Sequence, residues 1–329
     1  MAVRITRRTA AAGLAAAAIA PGLGRARAQG VYPPPGQTIK VVVPFVAGGT
    51  TDITGRVVAD RLSQMWNVPF VVENVPGAGA NLGMERVAKG PADGTVLVVV
   101  TPNLAINQFM YSKMPFDPEK DVTPISQVIN VPNLLCVRNS LPVNNVAELI
   151  AYAKANPGKL NYASSGVGTS IHLSAELFKR MTGVEMAHVV YRGSPPALTD
   201  LIGGAVDLMF DNIPTCVNLA REGKIRALGV TTSKRSTVAP EYPAIAETVP
   251  GYDATSFFGI GVPSGVPQAI KDMIERDVRA LSQDKAVKDR FATLAVETVG
   301  SSSKEFSSFI AFERERWGKI ITELKIKAD

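Results

Sequence analysis

Apolar positions along the chain switch between two periods. "IKVVVPF" (39–45) is nearly continuous, the pattern of a strand buried on both faces. "GGTTDITGRVVADRLSQMW" follows, with Ile53, Val57, Val58 and Leu62 at helical spacing behind a glycine turn. The alternation then recurs. Strands are predicted at 69–75, 94–101, 160–164, 186–193, 206–212 and 225–232, with extended runs at 125–138 and 257–263. Helices are predicted in the stretch closed by Gly90 and over 144–159, where Asn144 or Asn145 caps and Pro157-Gly158 stops. More are predicted from Thr169, over 195–205, over 215–224 and from Gln268. Residues 102–124 are less regular. A last helix, about Lys304 to Leu324, sets Phe306, Phe309, Ile310, Trp317, Ile320, Ile321 and Leu324 on one stripe, which is core packing. Such alternation argues for an α/β fold with largely parallel sheets. The 329 residues fit two domains, and no propeller or solenoid period is visible.

The first 28 residues break this pattern. Arg4, Arg7 and Arg8 precede an alanine-rich stretch, and Ala26-Arg27-Ala28 fits a small-x-small cleavage site. An export signal peptide cut after Ala28 is expected. The Arg7-Arg8 pair suggests twin-arginine export; strongly apolar residues do not follow it, so a Sec route stays open. The whole chain has 35 Lys and Arg against 29 Asp and Glu. Five of the arginines lie in this segment, which has no acid, so the remainder is almost neutral. No basic stripe with interleaved aromatics is present, so nucleic-acid binding loses its support. Beyond the segment no apolar run reaches the roughly 18–20 residues of a membrane span. Cys136 and Cys216 could pair in an exported protein, but two buried free thiols are the simpler expectation.

Two corners share one design. In 40–60 and again in 160–180, a strand runs through a glycine turn into a helix. Gly48-Gly49 match Gly166 and Gly168, and Thr50 and Thr51 match Thr169 and Ser170. The glycines let a ligand approach the backbone, and hydroxyl residues sit where the first helical N–H groups are unpaired. Facing each other across a cleft, two such corners would hold an anion on two helix N-termini. Other phosphate and nucleotide loops are absent. There is no Walker loop, and after Gly166-x-Gly168 and Gly77-x-Gly79 the third glycine is replaced, by Ile171 and by Leu82. No Gly-x-Ser-x-Gly elbow and no clustered Cys/His set occurs, so no cofactor and no metal is expected.

His172 shares a helix face with Glu176, four positions on. It reads as a general base only with an activated nucleophile, and none is evident beside it. The plainer reading is a first-turn histidine that bonds the ligand or the neighbouring domain. His188, in a strand, reads as structural. Asp52 is a helix cap or a partner for a ligand donor. Arg192-Gly193 and Asp211-Asn212 end successive strands and would project into the same cleft. Arg192 suits a carboxylate, or an ordinary surface ion pair.

At this point a family resemblance enters. "PFVAGGTTDITGR", "ENVPGAGANLG", "KLNYASSGVGTSIHLSAELF", "YRGSPPALTDLIGGAVDLMFDN" and "IRALGVTT" closely resemble Bug-type extracytoplasmic solute receptors, the substrate-binding proteins of tripartite tricarboxylate transporters. The likeness covers nearly the whole chain after the signal. It implies a periplasmic-binding-protein (Venus flytrap) fold: two α/β domains around a ligand cleft, joined by two crossing strands near 124–137 and 225–232. Domain 1 would be 29–124 plus 233–329, and domain 2 would be 125–232. The implied ligand is a small carboxylate, gripped largely by backbone N–H and hydroxyl groups. Carried over by motif, its contacts are Phe45, Ala47, Gly48, Gly49, Asp52 and Asn103 on one side. Ser164, Gly168, Thr169, His172, Arg192, Gly193 and Asp211 stand on the other. Many relatives have proline in the first turn; here Val46-Ala47 stand there. The resemblance implies a monomeric periplasmic receptor, not an enzyme, that delivers its ligand to an integral-membrane permease. A periplasmic hydrolase or isomerase, or a sensor for a signalling partner, is the alternative.

Overall fold

The computed structural model describes residues 32–33 and 36–328. The signal peptide expected at 1–28 lies outside them. β1 (Ile39–Val43), α1 (Thr50–Trp66), β2 (Phe70–Asn74), α2 (Asn81–Ala88), β3 (Val96–Val100) and the single turn α3 (Asn103–Ile106) open the first half. β4 (Val122–Val137) leads into the second. There α4 (Val146–Ala155), β5 (Leu160–Ser164), α5 (Ser170–Thr182), β6 (Met186–Val190), α6 (Ser194–Gly203), β7 (Leu208–Asn212), α7 (Ile213–Arg221) and β8 (Arg226–Val230) follow in turn. β9 (Thr255–Pro263), α8 (Gln268–Leu281), α9 (Lys285–Ala292), β10 (Glu297–Thr298) and α10 (Ser303–Glu323) return to the first half.

One curled sheet runs through both halves in the order β2-β1-β3-β9-β4-β7-β5-β6. Within each half the outer strands pair in parallel, β1 with β2 and β3, and β5 with β6 and β7. The middle is antiparallel, so the sheet is mixed rather than largely parallel. The cause is β4, which is shared. It pairs with β9 over Val122–Pro132, then with β7 and β8 over Asn133–Val137. A strand that carries the chain out needs an opposed one to carry it back, and opposed strands pair antiparallel. Residues 233–254 lie against β8 first. Val230 N–H donates to Pro243 O (2.8 Å), Tyr252 OH to Ser174 O (2.9 Å), and Ala254 N–H to Thr231 O (2.9 Å).

The apolar runs are explained by two cores, one on each face of the sheet. Val41 and Val43 enter one, Val42 the other; Leu97 and Val99 alternate likewise with Val98 and Val100. The stripe on α10 packs as expected, with Phe306, Ile310, Trp317 and Ile321 buried. The helical region from Gln268 is broken in two. Asp284 caps α9 by accepting from Val287 N–H at 3.0 Å. Cys136 and Cys216 are buried free thiols with no disulfide between them.

Candidate functional site

The carboxyl ends of β1, β3, β5, β6 and β7 open on one cavity between the halves, the position open α/β sheets use for ligands. Four helices begin at its wall. α1 brings Gly49, Thr50 and Thr51; α5 brings Thr169 and Ser170; α6 brings Gly193 and Ser194; α7 brings Asn212. Thr101, Pro102 and Asn103 follow β3, Ser165 follows β5, Phe45 and Val46 follow β1, and β9 supplies Ser256 and Phe258. The cavity measures about 30 Å³. That is about two waters' worth of space, so the halves stand close together. Among the described residues no charged side chain lines it.

The helix ends differ in what they offer. Gly49 precedes α1 without a side-chain cap, and the first intrahelical bond runs from Ile53 N–H to Gly49 O at 3.0 Å. The N–H groups of Thr50 and Thr51 are therefore left for a ligand. Asp52 is turned to the back of the turn, where it accepts from Gly48 N–H, Arg56 Nε and Asn74 Nδ2, each at 2.9 Å. Burial alone would raise its carboxyl; these bonds outweigh burial and hold it below the ordinary value. At α5, Thr169 is the cap. Its Oγ1 donates to Gly166 O at 2.8 Å and accepts from His172 N–H at 3.4 Å. Ser170 and Ile171 keep free N–H groups behind it. α6 starts Ser194-Pro195-Pro196 and α7 starts Ile213-Pro214, so proline removes two first-turn N–H donors from α6 and one from α7. Of the four helix starts, those of α1 and α5 carry no proline.

Two hydroxyls stand out. Thr50 Oγ1 and Ser256 Oγ are buried with no protein partner. Several contacts already cross the cleft. Asn103 Nδ2 donates to Gly168 O at 3.2 Å. Val46 packs so tightly on Gly193 that a Cβ there would lie 2.3 Å from Val46 Cγ2. Pro195 sits over Gly48.

Of the residues read from the sequence, Phe45, Gly49, Asn103, Thr169 and Gly193 line the cavity. The others do not. Ala47 and Arg192 are exposed, and Arg192 forms no ion pair among the described residues. Gly48 serves Asp52, and Gly168 serves Asn103. Ser164 Oγ bonds His188 Nε2 at 2.6 Å. His172 Nδ1 accepts from Gly168 N–H at 3.2 Å, so it braces the turn from behind. Asp211 is fully buried, accepting from Ser194 Oγ at 2.6 Å and from Thr215 Oγ1. Desolvation pushes its carboxyl up to about 6, although Ser194, Thr215 and Asn212 N–H act the other way. The side chains of Asp52, His172 and Asp211 position the turns, while Arg192 stays exposed. Ser165, Ser194 and Asn212 lie inside the recognised motifs. Ser256 had one local signal, a polar residue at a buried position of a strand otherwise rich in aromatics and glycine.

Residues 54–326 match the family described as "Tripartite tricarboxylate transporter family receptor". Protein BugT of Bordetella pertussis is 34% identical over 296 residues, covering 89% of this chain and 91% of that protein. Rpa4515 of R. palustris, solved with adipate, is 41% identical with a TM-score of 0.87, covering 89% of this chain and 99% of that one. MatC of Rhodopseudomonas palustris, solved with malate, is 29% identical with a TM-score of 0.82, covering 87% and 99%. Fold, cavity and relatives agree: the chain belongs to the tripartite tricarboxylate transporter receptor family and is a solute-binding protein of the Bug type.

Proposed function

We propose that this receptor works in the periplasm, where it captures a small carboxylate between its two halves and delivers it unchanged to a membrane permease. One observation carries the choice of ligand. The N-termini of α1 and α5 face one small cavity with free N–H groups and no competing charge. Such a site offers partial positive charge without a counter-ion, which suits a carboxylate. That Rpa4515 was solved with adipate and MatC with malate supports the same class. An enzymatic reading loses its base, because His172 Nδ1 is committed to Gly168 N–H while Asp52 and Asp211 lie outside the cavity.

The contacts follow the same logic. The ligand carboxylate sits on Thr50, Thr51 and Ser170, with Gly49 and Thr169 shaping the two turns. Gly193, Asn103 and Phe45 close around it. The two domains are 29–124 plus 233–329 and 125–232, with 233–254 bonded back across that boundary to β8 and α5. The chain acts as a monomer and reaches the periplasm through the signal peptide at 1–28.

Calorimetric titration with adipate and with malate, beside other mono- and dicarboxylates, tests the reading. One saturable site is expected, and the bound acid is recovered intact. Ligand at 100 times Kd should add about 2.7 kcal/mol of stability. Failure of every carboxylate to bind, or turnover of the one that does, overturns it.

A further inference from the structure

We propose that Ser256, on the strand that rejoins the two halves, donates a hydrogen bond to an anionic oxygen of the captured carboxylate, with Thr50 donating beside it. The inference rests on the carboxylate-receptor reading and adds to it a contact outside the two helix corners.

A buried hydroxyl without a partner is unfavourable, and folded proteins rarely keep one without a reason. Ser256 is 1% exposed and Thr50 3%, and neither Oγ has a protein partner. Their neighbours in the cavity wall are different. Thr169 Oγ1 donates to Gly166 O, Ser194 Oγ to Asp211, and Thr101 Oγ1 to Asn103, while Ser170 Oγ accepts from Asn212. Thr101, Thr169 and Ser194 thus give their protons to the fold, Ser170 accepts without giving its own, and the less deeply buried Thr51 and Ser165 hydroxyls make no hydrogen bond among the described residues; Ser256 and Thr50 are the wall hydroxyls fully buried without a partner. A carboxylate has about four acceptor positions on two oxygens. Hydroxyl and N–H donors to it form short, charge-assisted bonds.

Position gives the contact a second meaning. Ser256 and Phe258 alternate along β9, so both face the cavity. Ser256 is in register with Val131, two residues before β4 changes partners at Asn133. Ala254, two residues back, is bonded to Thr231 where the chain leaves the second half. A ligand held by Ser256 is therefore tied to the join between the halves as well as to each helix end.

The test uses the full chain after signal removal, and the variants Ser256→Ala and Thr50→Val. Each is titrated with every acid, from acetate to pimelate and malate, that raises the melting temperature of the unsubstituted protein. Loss of one charge-assisted bond predicts affinity lower by about tenfold or more. The unliganded melting temperature of Ser256→Ala should be unchanged or higher, because the removed hydroxyl bonds nothing in the protein. Unchanged affinity in Ser256→Ala overturns the inference. So does a matching fall in unliganded stability, which marks a merely structural residue. If no acid in the series binds the unsubstituted protein, the carboxylate reading itself fails and takes this inference with it.

Discussion

Three flat side chains lie stacked beneath the α5 corner. Tyr162 and His188 are 4.7 Å apart at 4°, and His188 and His172 are 4.2 Å apart at 8°. Burial holds both imidazoles neutral. Desolvation, then the neighbouring His188, pushes His172 down to about 3; desolvation pushes His188 down to about 4, against the pull of Glu176 and with the push of Lys179. An unfolded histidine takes its proton near 6.5. Between pH 6.5 and about 4 the unfolded chain thus binds two more protons at these sites, and stability falls as pH falls. Asp211 acts oppositely. Its raised carboxyl regains a proton in the fold first, which restores stability as pH drops through about 6. The net effect is close to one proton, about 1.4 kcal/mol per pH unit. Urea unfolding at pH 6.5 and 4.5 should show that loss, and His172→Asn, whose Oδ1 can still accept from Gly168 N–H, should remove it. An equal slope in the variant would refute the assignment. The sequence allowed a His172–Glu176 pair four residues apart on one helix. Glu176 instead accepts from Tyr162 OH (2.5 Å) and Lys179 (2.7 Å), because β5 brings Tyr162 under the helix. A stack built from β5, α5 and β6 has no local pattern to betray it.

Helix ends were the most legible feature, and they set stability against binding. Thr169 could be read as a cap because hydroxyl caps act locally. At the other corner the sequence matched Thr50 to Thr169, but the structure puts Gly49 at the cap position without a side-chain cap, and the consequence is open N–H groups on α1. Gly49→Asp should fill that vacancy. Gly49 has φ −81°, which any residue adopts, and a Cβ there meets only Val46 O at 3.9 Å. A carboxylate at this cap should raise unliganded stability by roughly 0.5 kcal/mol. It should also abolish carboxylate capture, by taking the N–H groups and repelling the ligand. Denaturant titration and calorimetry read the two effects separately; retained binding would remove α1 from the site. Strands were legible for a different reason: burial on both faces leaves unbroken apolar runs. Most of β4 was legible too, as the extended run at 125–138 that crosses Pro132; the strand also takes in Val122, Thr123 and Pro124. Their places are fixed by pairing with β9, more than a hundred residues further along the chain.

On the proposed reading the two halves must part to admit a small carboxylate, because the cavity measures only about 30 Å³. Opening must part Asn103 from Gly168, Val46 from Gly193 and Gly48 from Pro195. The proposed pivot is where β4 changes partners. Asn133 there takes Thr231 Oγ1 on its N–H at 2.8 Å, gives its side-chain amide to Ser174 Oγ at 2.9 Å, and accepts from Asn212. The closing faces are steric, so a methyl group should work as a wedge. Gly193 has φ 153°, where a side chain is strained, and its Cβ would meet Val46 Cγ2 at 2.3 Å. Gly193→Ala should therefore populate the open form. If it left about one molecule in a hundred able to close, apparent affinity would fall about a hundredfold. Small-angle scattering of the unliganded variant should show a larger radius of gyration than the parent. Val46→Ala removes the opposing methyls, so the double variant should recover part of the affinity, the backbone strain accounting for the rest. Parental scattering and parental affinity in Gly193→Ala would mean that this contact does not govern closure.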